Sequence, residues 1–253
     1  MQPNLPHFLS FAPLYQAALP RFPFEFKEVV QAYLDGPPTI VADLGCGKGD
    51  STLAWADFAV KAIGIDPCGQ DITSAKQRSS NDPSVEFLCS PLSSTYLGDN
   101  STDVVLCPHS KFYCGPEQIE KEICRILRPG GIFILYDFTF PPLCGFAVEK
   151  AYARLKKIIT AIQNTVSPPA SNIPPAENFS FSFSRKASFC SWESCDADRF
   201  LTLALGHKNI TTLLKKAPEL MLLHLDEFEQ ETRSLLPHHI TAGFCFDSTI
   251  YIK

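Results

Sequence analysis

Two acidic side chains flank a glycine-rich turn in this chain, and their placement suggests what they could hold. Asp43 stands two residues before Gly45-Cys46-Gly47-Lys48-Gly49-Asp50, and Asp66 follows 21 residues after Gly45. Gly45 and Gly47 carry no side chain, so the backbone can turn tightly and approach a ligand. A dinucleotide-binding turn needs glycine at position 50, where this chain has Asp50. It also needs room for a pyrophosphate, and Asp43 would set a negative charge beside it. A nucleoside bearing an ammonium and a sulfonium is the better partner for that carboxylate. Asp66 stands where an acid accepts hydrogen bonds from ribose hydroxyls. The competing reading of Asp66 is a cap or turn residue ahead of Pro67.

These residues need a scaffold that brings strand ends together. TIVADLG (39–45) reads as a buried parallel strand, and the turn leads into a helix over STLAWADFA. KAIGID (61–66) is a second strand, followed by the helix DITSAKQRSS. VEFLCS (85–90), TDVVLCP (102–108) and IFILYDF (132–138) give strands three to five. The helix PEQIEKEICRIL (116–127) precedes the fifth, and Arg128-Pro129-Gly130-Gly131 stops it. Strands alternating with helices predict an α/β fold with a parallel sheet in three layers. Upstream, residues 1–23 are rich in Pro and aromatics and predict a wrapping segment, and FEFKEVVQAYL (24–34) repeats apolar residues at helical spacing. After residue 140 the rhythm changes. VEKAYARLKKIITAIQ (148–163) reads as helix, 167–178 as a Pro-rich loop and FSFSRKASF (181–189) as a strand. Helices follow around 192–205 and 217–235, and residues 240–253 close the chain as a strand. This predicts one domain over 1–253. Residues 1–38 form a cover segment and helix, 39–138 the cofactor-binding core, 140–235 a lid with strand six, and 240–253 the final strand.

Composition narrows the function classes. The chain has 253 residues, 45% hydrophobic and 19% charged, which predicts a packed core. A net charge of −5 offers no general attraction to phosphate backbones, so no nucleic-acid partner is expected. Lys150, Arg154 and Lys157 share a helical face, read as solvated surface. No apolar run reaches about 18 residues, so no transmembrane helix or membrane partner is expected. The N-terminus lacks a basic region and carries three prolines before Leu14, unlike a signal peptide. Ten cysteines match no paired zinc spacing, and no metal is expected. They read as mostly reduced thiols of a soluble cytoplasmic protein, those in VEFLCSPL and TAGFCFDS as small hydrophobes.

With these residues in view, the chain resembles the class I S-adenosylmethionine (SAM)-dependent methyltransferases. DLGCGKG is similar to their first motif, the end of GID to their second-strand acid, and ILRPGGIFILYDF to their fifth-strand motif, all in order across roughly residues 10–138. The resemblance implies a Rossmann-like, mostly parallel seven-stranded sheet with an antiparallel last strand, helices on both faces and a helical lid after strand five. It implies SAM as cofactor and S-adenosylhomocysteine as product. Asp43, Gly45, Cys46 and Gly47 would meet the amino-acid end, Asp66 and Pro67 the ribose, and Pro91 and Leu92 the adenine, with Cys107 and Tyr15 adding contacts. Many relatives carry an acid after strand three, where this chain has Ser90-Pro91-Leu92. Tyr15, Pro20, Phe22 and Pro23, with FCSWESCDADRFLTLALGHKNI later, are similar to the trans-aconitate methyltransferase-like (methyltransferase type 11) group. Leu19 stands at that group's Arg, and Lys111-Phe112-Tyr113 at its His-Trp-Phe.

That likeness implies a small-molecule oxygen acceptor, a carboxylate or hydroxyl, bound above strands one and four by a monomer or homodimer. Methyl transfer from a sulfonium mainly needs alignment and exclusion of water, and a general base only where the acceptor must lose a proton. His109 is the candidate base and Tyr113 a second catalytic candidate; Lys111 could pair with an anionic substrate, and Tyr15 could cover the site. For each the plainer reading is a surface or packing residue. Two alternatives stand: a non-catalytic or degenerate SAM-binding protein, and a protein or RNA methyltransferase.

Overall fold

The computed structural model describes residues 4–80, 82–108, 112, 115–166 and 181–253. The Pro-rich loop expected over 167–178 lies outside the described residues, as do His109, Lys111 and Tyr113. The chain divides into two compact units: Arg21–Phe138 with Ile173–Phe189 and Phe246–Lys253, and Met1–Pro20 with Thr139–Asn172 and Cys190–Cys245.

The larger unit starts with a helix α1 (Glu25–Tyr33) and then runs β1 (Ile40–Leu44), α2 (Asp50–Leu53), β2 (Lys61–Asp66), α3 (Gly69–Arg78), β3 (Val85–Cys89), β4 (Thr102–Pro108) and α4 (Pro116–Ile126). It is completed by parts of β5 (Leu127–Leu143), β6 (Phe183–Cys195) and β7 (Ile240–Ile252). The seven strands form one sheet in the order β3-β2-β1-β4-β5-β7-β6. Strands one to five pair in parallel, and β7 lies between β5 and β6, antiparallel to both. The expectation of a parallel sheet with an antiparallel last strand holds.

Period-two alternation sorts the strands between two core layers. Val41, Val104, Leu106, Ile132 and Ile134 pack on one face with Phe26, Val30 and Trp55. Ala42, Leu44, Val105, Phe133 and Leu135 pack on the other with Ile119, Ile123 and Ile126 of α4. The parallel sheet is thus covered on both faces, as its near-continuous apolar strands require.

Three local expectations need correction. The helix expected over STLAWADFA is only Asp50–Leu53, because the chain tightens: Trp55, Ala56 and Phe58 each donate to the carbonyl three residues back, which turns Trp55 into the core. β5 begins at Leu127, before the supposed Pro-Gly-Gly stop. Gly130 N–H donates to Lys253 O and Lys253 N–H to Gly131 O, so the terminal strand recruits this stretch. The helix expected from 192 starts at Ala197, where the Asp196 carboxylate caps it by accepting from Arg199 N–H at 2.8 Å, and β6 continues to Cys195.

The second unit is mostly helical beyond its strand segments, with long helices at Phe146–Val166 and Pro218–Leu235 and shorter ones at Ala197–Leu205 and Lys208–Lys216. Arg154 pairs with Glu231 instead of facing solvent alone. Arg199 stacks 4.3 Å above the Phe244 ring and donates to Ala18 O and Ser194 O. Cys190 and Cys245 form a disulfide, with Cα atoms 4.0 Å apart on neighbouring strands. Cys245 was expected as a small hydrophobe; cross-strand juxtaposition, which spacing does not encode, makes it half of a bridge. Among the described residues no helix is long and apolar enough to cross a membrane.

Candidate active site

The carboxyl ends of β1, β2 and β3 sit side by side, with Asp43 beside Gly64 and Asp66 beside Cys89 in register. Asp43 is wholly buried. Its Oδ2 accepts from Ser51 Oγ at 2.5 Å and Thr52 Oγ1 at 2.6 Å, both from the turn and first residues of α2. Among the described residues its Oδ1 is buried with no partner. Burial pushes the carboxyl up to about 6, against the pull of the Ser51 and Thr52 hydroxyls and with a further push from Asp66 and Asp50. A buried carboxylate with one bare oxygen waits for a cation or a donor.

The turn itself is built by glycines in left-handed backbone: Gly45 at φ +83°, Gly47 at +53° and Gly49 at +86°. A Cβ at Gly47 would meet nothing within 4 Å, so this apex opens into free space. The turn's amides are spent internally. Gly45 and Cys46 N–H donate to Ile65 O, Gly49 N–H to Cys46 O, and Gly47 N–H to Asp66 Oδ2 at 3.0 Å. A phosphate cradle needs such N–H groups free and converging. Here four are already used, and two buried carboxylates lie beside them. The site therefore fits a cationic nucleoside and not a pyrophosphate.

Asp66 fills the turn role weighed for it. Oδ1 accepts from Cys68 N–H at 2.9 Å, fixing the turn into α3, while Oδ2 ties down the glycine loop. Asp66→Ala is expected to destabilise the chain by about 1–3 kcal/mol, the cost of unpairing these amides. Urea unfolding checks this, and an unchanged midpoint would deny the tie.

The other expected contacts divide. Cys46 packs with Ile72, Ala75 and Phe87, so it offers the site backbone only. Cys107 and Leu92 are packed in the core layer facing α4. Pro67 and Pro91 are exposed beside the strand ends. Tyr15 belongs to the other unit, where its ring meets His207 edge-on at 5.7 Å. Ser51, Thr52 and Tyr136 were not anticipated. Tyr136 is buried on β5, and its hydroxyl is raised well above the ordinary phenol range by burial and then by Asp43. A Ser-Thr pair opening the helix after the glycine turn was the available signal for the clamp on Asp43.

Residues 42–135 match the family model described as a methyltransferase domain. Curated relatives include a ubiquinone/menaquinone biosynthesis C-methyltransferase of Campylobacter jejuni, 27% identical over 135 residues, covering 50% of this chain and 56% of the relative. An uncharacterized methyltransferase of Mycobacteroides abscessus is 33% identical over 109 residues, 42% of each chain. The chain thus spans about half the length of the curated relatives it matches. A solved protein from Anaeromyxobacter dehalogenans, named for type II methyltransferases, superposes with a TM-score of 0.68 at 19% identity, over 92% of this chain and 97% of that one, a likeness of fold. Residues 42–135 thus match a methyltransferase domain, and the sheet around them has the Rossmann-like fold of class I SAM-dependent methyltransferases. SAM is the cofactor of that class, and Asp43, Asp66 and the glycine turn fit it.

Proposed function

We propose that this chain transfers a methyl group from SAM to a small-molecule oxygen acceptor, a carboxylate or hydroxyl. The bare, buried Oδ1 of Asp43 carries the reading, because it suits the ammonium of an amino-acid tail. SAM, when bound, supplies a sulfonium-activated methyl that an in-line nucleophile can take. The chain's own part is to hold and align. Ser51 and Thr52 fix Asp43, Asp43 orients the cationic tail, and Asp66 holds both the glycine loop and the ribose. Alignment of this kind accounts for on the order of 7–11 kcal/mol of a barrier. His109, Lys111 and Tyr113, which follow β4 in sequence, are the proposed acceptor-side groups.

The oxygen acceptor rests on the trans-aconitate-like residues named above. A carbon acceptor is the second reading, favoured by the relative named as a quinone-pathway C-methyltransferase. Purified chain incubated with methyl-labelled SAM and panels of carboxylic acids, phenols and hydroquinones separates the two. Base-labile methyl esters or O-methyl ethers are expected. Base-stable methylation at ring carbon would move the assignment to carbon, and no turnover across all panels would contradict the proposal.

A further inference from the structure

A phenol lies in the apolar layer on the side of the sheet that Asp43 faces. Asp43 is in register with Leu106, and Leu106 with Ile134, so the three side chains share one face. Tyr136 stands two residues beyond Ile134 on β5 and shares that face at the carboxyl end of the sheet. It is 7% exposed, and its ring packs against Phe22, Phe26 and Phe246 at centroid distances of 5.5, 5.7 and 6.5 Å. Those neighbouring side chains are hydrocarbon. Phenylalanine would fill the same place without desolvating a hydroxyl, which is unfavourable unless the hydroxyl is paired.

The pairing is with Ser51. Burial and then the Asp43 charge hold the Tyr136 phenol well above its ordinary range, and a hydrogen bond with the Ser51 hydroxyl pulls against them. The phenol therefore keeps its proton near neutral pH. Ser51 has a single hydroxyl proton, and it lies toward Asp43, with Oγ 2.5 Å from Oδ2. Toward Tyr136 the serine can only accept, so the proton in that bond belongs to the phenol. The chain runs from Tyr136 O–H to Ser51 Oγ–H to Asp43 Oδ2. Thr52 gives a second proton to the same oxygen at 2.6 Å. The pull thus falls on Oδ2, and Oδ1 stays bare among the described residues. Around this chain, Asp66 of β2 and Asp50 of α2 push Asp43 toward its protonated form. Asp137 and Cys107 act likewise on Tyr136, and Lys27 of α1 is paired with Asp57. The hydroxyls of Ser51, Thr52 and Tyr136 oppose those acids.

We infer that Tyr136 is a positioning residue for the cofactor: through Ser51 it fixes Asp43 Oδ2 and so turns the bare Oδ1 toward the cofactor's ammonium. This rests on the SAM reading of the site. Hydrogen bonds in series polarise one another, so a phenol that donates to Ser51 strengthens the bond that Ser51 donates to Asp43. Without the phenol that bond weakens, and Asp43 takes up a proton at a higher pH. A protonated Asp43 no longer attracts an ammonium.

The test compares wild type, Tyr136→Phe, Ser51→Ala and the double variant in two measurements. One is a carbon-13 titration of the Asp43 carboxyl in ligand-free protein; the other is calorimetric titration with S-adenosylhomocysteine from about pH 5 to about pH 8. The wild-type carboxyl midpoint is expected at about 6. Y136F should raise it by about half a pH unit, the low end for one neutral hydrogen bond, because the bond acts through a second group. S-adenosylhomocysteine should then bind Y136F about twofold more weakly than wild type at about pH 6, about threefold more weakly at about pH 5, and equally at about pH 8. S51A should raise the midpoint further, and adding Y136F to it should move nothing more. A merely structural tyrosine would weaken binding by one factor at every pH. That result, an unmoved midpoint in Y136F, or a further shift in the double variant overturns the inference. A wild type that binds no S-adenosylhomocysteine at any pH overturns the cofactor reading, whatever the carboxyl midpoints show, and the positioning role falls with it.

Discussion

Asp43→Asn is expected to weaken S-adenosylhomocysteine binding by about 10- to 150-fold near neutral pH, the range for losing a hydrogen bond to a charged partner. The amide keeps the shape, and its oxygen can still accept from Ser51 and Thr52. Its NH2 then occupies the place of the bare oxygen and opposes an ammonium. The same substitution should stabilise the ligand-free chain. Asp43 holds its proton more tightly folded than unfolded, so its contribution to stability is present below the ordinary value of 3.8 and is lost as the pH rises through about 6. Asn has no proton to lose, so at neutral pH the variant should gain up to about 3 kcal/mol over wild type, with the difference vanishing below about pH 4. Wild-type affinity for the ligand should also fall as the pH drops below about 6, approaching tenfold per pH unit as Asp43 protonates. Titrations of both proteins across pH, with urea unfolding in parallel, check these signs. Equal affinity in the two proteins would remove Asp43 from the ligand.

The second large effect is structural. Gly49→Ala should destabilise the chain by about 2–5 kcal/mol, adding about 1–2 for an alanine in left-handed backbone to about 1–3 for overpacking. Gly49 sits at φ +86°, and a Cβ there would fall 2.6 Å from the buried Phe87 ring. The same ring lies 2.6 Å from a Cβ built at Gly64, which would also press on Thr52 Oγ1 at 2.7 Å. Phe87 thus needs two glycines beneath it, and one of them lies under the hydroxyl that clamps Asp43. Gly64→Ala should cost less stability than Gly49→Ala, since its backbone is unstrained, yet still weaken cofactor binding through Thr52. Differential scanning calorimetry and titration on both variants decide this. A Gly49→Ala protein melting within about a degree of wild type would contradict the packing argument.

The parts of this site that could be read from sequence are those set by local pattern. Short apolar runs ending in Asp43 and Asp66 placed both acids at strand ends, and the missing glycine at position 50 spoke against a phosphate. What stayed hidden depends on pairing across distance. That the turn's amides are already consumed follows from β2 lying alongside, through Ile65 O and Asp66. The resemblance implied Cys46, Leu92 and Cys107 as ligand contacts, but their side chains pack in the core clusters, a direction that adjacency to the motifs does not encode. The Arg128-Pro129-Gly130-Gly131 stop signal was overridden by the terminal strand pairing across it, and the Cys190–Cys245 bridge joins strands 55 residues apart in sequence.

The central claim is electrostatic: a glycine turn with its amides spent and two buried carboxylates at its base selects a cationic nucleoside over a phosphate-bearing one. Isothermal titration of the purified chain with S-adenosylhomocysteine and, separately, with NAD tests it most directly. One saturable site for S-adenosylhomocysteine and no heat from NAD is the predicted result; saturable NAD binding with no response to S-adenosylhomocysteine would contradict the account.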